Sequence, residues 1–186
     1  MIRILGASAA LATVAATAFA ATPFSITSPQ IVQGRTIGRA QILNRHGRDG
    51  RNISPALAWR GVPAGTKSFA VVLFDSDARG GAGWWHWIVA DIPATVDHLA
   101  ERAGDPGGTL PTAAVQGTNS FGFAGYGGPC PPVGDWPHHY HLRIYALNTA
   151  TIPQTALQSP EAAQHAIETA TIGRAEVTGR YGRRKP

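Results

Sequence analysis

Two apolar runs of strand length place the strongest constraint on what this chain can fold into. Residues 68–75 read SFAVVLFD, and residues 85–92 read WHWIVADI. Both runs are rich in the β-branched and aromatic side chains that favour strands. Their hydrophobicity is nearly continuous instead of alternating, which is typical of a strand covered on both faces. We therefore predict two core strands, the second of which ends at Pro93.

The remaining pattern predicts a mainly β domain with one late helix. Shorter strands are expected near residues 24–28, 57–59, 139–147 and 175–181. Ser159 as N-cap and Pro160 at the first helical position predict a helix over residues 161–171. One further helical turn is expected at residues 97–102. Residues 118–137 have neither pattern, so we predict a long loop of the kind that usually has a function.

The N-terminus has the pattern of a secretory signal peptide. Arg3 precedes an Ala-rich apolar stretch that ends in the small-x-small cleavage pattern Ala18-Phe19-Ala20. A transmembrane anchor is the alternative, but the stretch is short for one. We predict that residues 1–20 are a cleaved signal peptide. Residues 21–186 would then be one domain of a bacterial protein that is periplasmic or secreted.

The net charge limits which partners the protein can bind, and the cysteine count decides whether an internal disulfide can stabilise it. The formal net charge is +5, and part of it lies in residues 45–51 and 180–185. Such segments bind anionic lipid or nucleic acid, or are solvated surface. Their arginines do not alternate with aromatic residues on one element, so we predict no nucleic-acid partner. Cys130 is the only cysteine and cannot form an internal disulfide; we interpret it as a packed residue.

Polar residues at the ends of the predicted strands are the candidates for a site. Asp75 and Asp77 follow the first core strand, His86 opens the second, and alternation along residues 138–147 turns His138 and Tyr140 inward. The carboxylates could bind a cation, hold a histidine in one tautomer or cap a turn. His86, between two tryptophans, could also be a core residue.

An anion suits this set of residues better than a metal ion does. Both imidazoles can donate hydrogen bonds, and we expect the nearby carboxylates to raise the imidazole pKa values. Tyr140 would add a hydroxyl and an aromatic wall. The carboxylates would pair with the histidines or face a cationic part of a zwitterion such as a phosphoamine. His139 and His141 share a strand face without a complete ligand set, so we predict neither a metal nor a cofactor.

Several motifs in this order resemble those of the phosphatidylethanolamine-binding protein family, in its bacterial Raf-kinase-inhibitor-like branch. They are NISPALAW from Asn52, DSDA from Asp75, WHW from Trp85, GPCPPVG from Gly128, HHY from His138 and YAL from Tyr145. The chain departs from the family pattern at Ser76 and Arg79, which replace prolines, at His139, which replaces an arginine, and at Ser120, which replaces an aspartate.

The resemblance implies two packed antiparallel β-sheets with a few peripheral helices, one of them near the C-terminus. It also implies a cavity for phosphate-like anions formed by Asp75, Asp77, His86, His138 and Tyr140 and lined by Cys130, Pro131 and Pro132. A homodimer is one alternative for the oligomeric state.

From these residues we expect an exported, non-enzymatic binding protein for a small anionic or phosphorylated ligand, with a membrane-lipid headgroup as one candidate. One alternative is an inhibitor or interaction protein of an extracytoplasmic enzyme. Another is a hydrolase that uses Ser120, with His86 and Asp75 as its triad partners, or an activated water. The Ser120 segment does not meet the Gly-x-Ser-x-Gly pattern, because Thr118 stands at the first glycine position.

Overall fold

The computed structural model describes residues 22–45, 47 and 49–185, so the predicted signal peptide lies outside the described residues. Two antiparallel sheets form the fold, as expected. The larger sheet has the order β6-β4-β3-β7-β8, and the smaller one β1-β2-β5. The strands are β1 Ser25–Thr27, β2 Leu57–Arg60, β3 Ser68–Asp75, β4 Trp84–Pro93, β5 His98–Leu99, β6 Val115–Gln116, β7 His138–Leu147 and β8 Thr171–Tyr181.

Strand β3 lies at the centre of the larger sheet and is covered on both faces. Phe69, Val71 and Leu73 pack into the core between the two sheets. Ala70 and Val72 face a second core on the other side of the sheet. This two-sided burial confirms the interpretation of the continuous apolar run.

The predicted late helix is α1, Pro160–Ala170, and it covers the second core. Ser159 caps it by accepting a hydrogen bond from the Ala162 N–H, and Pro160 stands in the first turn. Ala163 and Ile167 are the fully buried members of its inner face. None of the helices in the described ranges combines the length and the apolarity needed to cross a bilayer.

The prediction of a helical turn at residues 97–102 is wrong for the first half of this segment. His98 and Leu99 instead form β5, which pairs antiparallel with β2 through Leu57 and Leu99. Both leucines are almost completely buried. The burial of Leu99 and the ladder hydrogen bonds outweigh the weak local preference of the segment.

Candidate functional site

The order of the larger sheet brings the candidate polar residues to one edge. Strand β3 runs antiparallel to both of its neighbours, β4 and β7. The last residue of β3, Asp75, therefore lies beside the first residues of the other two, opposite Trp84 on one side and Tyr140 on the other. His138 begins β7 and His86 is the third residue of β4, so both imidazoles reach the same edge.

The Asp75 carboxylate is buried, and both of its oxygens accept hydrogen bonds. Its Oδ1 accepts hydrogen bonds from the backbone N–H groups of Asp77, at 2.9 Å, and of Ala78, at 3.1 Å. Its Oδ2 lies 2.7 Å from His138 Nδ1 and 3.9 Å from His86 Nε2. Because an ionised carboxylate only accepts, Nδ1 of His138 carries a proton. The carboxylate thus fixes both the turn after β3 and the tautomer of His138.

His86 is held by the backbone of the long loop. Its Nδ1 lies 2.6 Å from the carbonyl oxygen of Gly127, so Nδ1 donates and carries the proton of the neutral ring. The Asp75 carboxylate acts on the pKa of His86 in the expected direction, but the net shift is the opposite of the one expected. Burial lowers the pKa of His86, and this effect outweighs the opposite effect of Asp75. The ring is therefore mainly neutral near pH 7, with a lone pair on Nε2.

A cavity of about 230 Å³ opens at this edge. It is lined by Asp75, Asp77, Ala78, Arg79, Gly80, Trp84, His86, Phe121, Cys130, Pro131, Pro132, Asp135 and His138. The lining includes every predicted ligand-binding side chain except Tyr140. The sequence motifs did not predict that Trp84 and Phe121 form aromatic walls of the cavity, nor that Asp135 of the long loop lines it.

Tyr140 lies behind the two imidazoles instead of on the cavity wall. It is fully buried, and its ring packs edge-on against His86 and stacks with His138. Burial and the nearby Asp75 carboxylate raise the pKa of its hydroxyl. The hydroxyl has no partner in hydrogen-bonding geometry among the described residues. Its role in this structure is to position the imidazoles, not to supply a wall.

The other histidines of β7 are paired with carboxylates at the surface. Asp77 Oδ2 accepts from both the backbone N–H and the Nδ1 of His139, at 2.7 and 2.9 Å. His141 Nδ1 lies 2.7 Å from Glu176 Oε1. Within the described ranges, no cluster of three or more His, Cys, Asp or Glu side chains could hold a metal ion. Asp75, the last residue of β3, thus pairs with the predicted site residue His138, whereas Asp77 pairs with His139, a histidine outside the predicted set.

The long loop is held by two amide side chains, those of the half-buried Asn52 and the buried Asn119. Asn52 Nδ2 donates to the Tyr126 carbonyl at 3.0 Å, and Asn52 Oδ1 accepts from the Gly128 N–H at 2.8 Å. These two bonds flank Gly127, the partner of His86. Asn119 in turn donates to the Gly125 carbonyl at 2.8 Å. The sequence analysis did not predict these roles, although Asn52 is the first residue of the NISPALAW motif.

The Ser120 hydroxyl is hydrogen-bonded to the backbone of β4 and not to a histidine. Its hydroxyl oxygen accepts a hydrogen bond from the Trp85 N–H at 2.9 Å, and its own N–H donates to the Trp85 carbonyl. Ser120 is absent from the lining of the cavity that contains His86. These contacts give it a role in joining the loop to β4.

Comparison with known proteins agrees with the fold. The family profile described as phosphatidylethanolamine-binding protein matches residues 27–182. The UPF0098 protein YbcL of Escherichia coli K12 is 48% identical over 162 residues, which cover 87% of this chain and 88% of that protein. The crystal structure of E. coli YbcL, described as a new member of the mammalian PEBP family, matches with a TM-score of 0.83 at 47% identity and covers 87% of this chain and 99% of that chain.

A second relative comes from Mycobacterium tuberculosis H37Rv and is named as a candidate lipoprotein, LppC. It is 37% identical over 162 residues, which cover 87% of this chain and 74% of that protein. Since the family profile matches residues 27–182 and YbcL is 48% identical over 87% of this chain, the chain belongs to the phosphatidylethanolamine-binding protein family.

Proposed function

We propose that this protein is an exported binding protein whose strand-edge cavity takes a small phosphorylated or otherwise anionic group, such as a lipid headgroup. The observation that supports this most directly is the orientation of two imidazoles. His86 and His138 each use Nδ1 for a fixed partner, the Gly127 carbonyl and the Asp75 carboxylate, and both rings line the same cavity. The Nε2 atom of His86 lies 3.9 Å from Asp75 Oδ2, and that of His138 lies 3.6 Å from Asp135 Oδ2. Both separations are longer than a hydrogen bond, so both Nε2 atoms can bind a ligand.

The charge of the cavity depends on these two rings. Asp75 and Asp77 are paired with His138 and His139, and Asp135, the third carboxylate of the lining, lies 3.6 Å from His138 Nε2. Arg79 lies on the rim. A neutral imidazole offers only a lone pair at Nε2, whereas a protonated one offers an N–H donor there. Binding of an anion at Nε2 is therefore coupled to uptake of a proton by the imidazole. An amine group would instead donate a hydrogen bond to the lone pair of the neutral imidazole.

The leader pattern of residues 1–20 supports export, and so does the name of the mycobacterial relative LppC. Mass spectrometry of the mature N-terminus tests this part of the proposal, because cleavage after residue 20 leaves Ala21 as the first residue.

The pocket is tested by the thermal shift that inorganic phosphate and phosphoethanolamine produce. A ligand that binds only the folded protein raises the melting temperature in proportion to RT ln(1 + [L]/Kd). We expect His86→Ala and the bulkier His86→Gln to weaken binding about tenfold to a hundredfold, the usual effect of losing a hydrogen bond to a charged group. Each variant is compared with its own ligand-free melting temperature. His98→Ala, at an exposed histidine outside the cavity, is the control. Equal shifts in wild type and both His86 variants would contradict the proposal.

Anion binding should take up protons. The pKa of His86 is lowered in the free protein by burial, and an anion at Nε2 would raise it. As the pH falls from the bound-state pKa to the free-state pKa, the affinity rises by up to about tenfold per unit for one proton. Below the free-state pKa the affinity levels off. Calorimetric titration of sulfate, whose own charge stays constant between about pH 5 and 8, in two buffers of different ionisation enthalpy measures the uptake. Proton release, or uptake unchanged in His86→Gln, would contradict this assignment.

A further inference from the structure

The two basic segments that are far apart in sequence meet beside the cavity. Arg183 donates from Nη2 to the Gly47 carbonyl at 3.3 Å. Its own carbonyl accepts from the Gly134 N–H at 2.8 Å, and its backbone forms a parallel bridge with Val133. Val133 follows directly on Pro131 and Pro132 of the cavity lining. The C-terminal tail is thus attached to the wall of the cavity.

A second cleft, of about 500 Å³, lies along this tail and is strongly cationic. Its lining includes Arg180, Arg183, Arg184 and Lys185, and Asp135 is its one carboxylate. No carboxylate in the described part of the chain forms an ion pair with any of these four cations. Four cations beside a single described carboxylate give this cleft a net positive charge, and such a surface attracts an anionic partner more strongly than isolated surface cations do.

An exposed tryptophan stands between the cleft and the cavity. Trp136 is 90% exposed, the largest exposed fraction among the large hydrophobic residues described. It borders a depression that shares Gly134, Asp135 and Pro137 with the cleft and also borders His138 of the cavity. A fully exposed indole next to a cationic surface is the combination that membrane-water interfaces select.

We infer that Trp136 and the four tail cations, here called the tail face, dock this protein onto an anionic phospholipid bilayer. Trp136 enters the headgroup region, while Arg180, Arg183, Arg184 and Lys185 lie against the lipid phosphates. The cavity then lies next to the docked face, because the depression that Trp136 borders shares Asp77, Asp135 and His138 with the cavity lining. Docking is a step beyond the proposed headgroup pocket, and it depends on residues that do not line that pocket. A nucleic acid fits less well, because binding to single strands uses a series of aromatic platforms and the tail face presents one exposed indole.

Sedimentation with vesicles tests the cations. We expect wild type to bind vesicles of phosphatidylcholine with phosphatidylglycerol and to bind pure phosphatidylcholine far more weakly. The double variant Arg184→Gln, Lys185→Gln should lose about thirtyfold in affinity, since each surface cation contributes about 1 kcal/mol at an anionic membrane. Both side chains are exposed and have no hydrogen bond or ion pair to another described residue.

The matched control carries the same two changes at the other end of the larger sheet. Lys67 and Arg174 are exposed there, next to Leu147 and opposite Tyr145. Lys67→Gln with Arg174→Gln lowers the net charge equally and should retain most of the binding. An equal loss of vesicle affinity in both double variants would overturn the proposal, because the loss would then depend on net charge and not on the position of the cations.

Insertion of the indole is tested separately. Trp136→Ala should weaken vesicle binding about tenfold. Brominated lipid should quench the fluorescence of wild type but not of Trp136→Phe. Unchanged vesicle binding in Trp136→Ala and in the tail double variant would overturn the proposal, and so would binding of duplex DNA without binding of vesicles. The tail double variant should keep its affinity for phosphoethanolamine, so a failure of docking is distinguishable from a failure of the pocket.

Discussion

Replacing Asp75 with alanine should lower the free energy of unfolding by about 3–5 kcal/mol, the usual effect of removing one partner from a buried ion pair. The carboxylate is 3% exposed and its partner His138 is 8% exposed. The substitution leaves the His138 Nδ1–H and the backbone N–H groups of Asp77 and Ala78 without their acceptor. A buried donor that loses its partner retains the full desolvation penalty. Urea denaturation followed by tryptophan fluorescence measures the change.

A surface aspartate provides the control for this prediction. Asp49 pairs with Arg39 at 3.0 Å, but the two side chains are 82% and 70% exposed. Asp49→Ala should therefore change stability by less than about 1 kcal/mol. A double-mutant cycle with His138→Ala isolates the pair. If Asp75→Ala costs the same with and without His138, the two residues are not coupled and the geometry of the site is wrong.

Much of the fold could be predicted because its strongest signals are local. The apolar run of β3 and the Ser159-Pro160 start of α1 each specify one element by side-chain chemistry within a few residues. Strand β5 could not be predicted this way, because two residues carry too little pattern. Its stability comes from Leu99 packing opposite Leu57 in β2, a contact that depends on the tertiary fold.

The site was predictable to the extent that it lies on strands. Alternation along β7 placed His138 inward, and an aspartate at the end of β3 had to lie near the start of β7 once those two strands paired. The protonation state of His86 was not predictable from the sequence. It depends on the balance between complete burial, which lowers the pKa, and a carboxylate 3.9 Å away, which raises it. The anchoring of the loop by Asn52 was also hidden, since its two bonds reach 74 and 76 residues along the chain. Side-chain to backbone bonds over such separations leave no local pattern.

The position of that loop depends on one glycine, and this leads to the second large effect. A Cβ atom at Gly128 would lie 2.0 Å from the Gln41 carbonyl oxygen and 2.7 Å from the Leu43 backbone nitrogen. Both neighbours are backbone atoms, so the loop itself must move. Gly128→Ala should destabilise the fold by about 3 kcal/mol, the upper part of the range for overpacking.

The same substitution should abolish the thermal shift by phosphate, because the displaced backbone includes Gly127, whose carbonyl holds His86. Gly38→Ala is the matched control. Its nearest contact would be the Gln41 side chain at 3.8 Å, and its φ is not left-handed. There the alanine should be neutral, or stabilising by about 0.4–1 kcal/mol through the unfolded chain. Wild-type stability and phosphate binding in Gly128→Ala would mean that the loop does not pack against residues 41–43, and the orientation of His86 would then lose its physical basis.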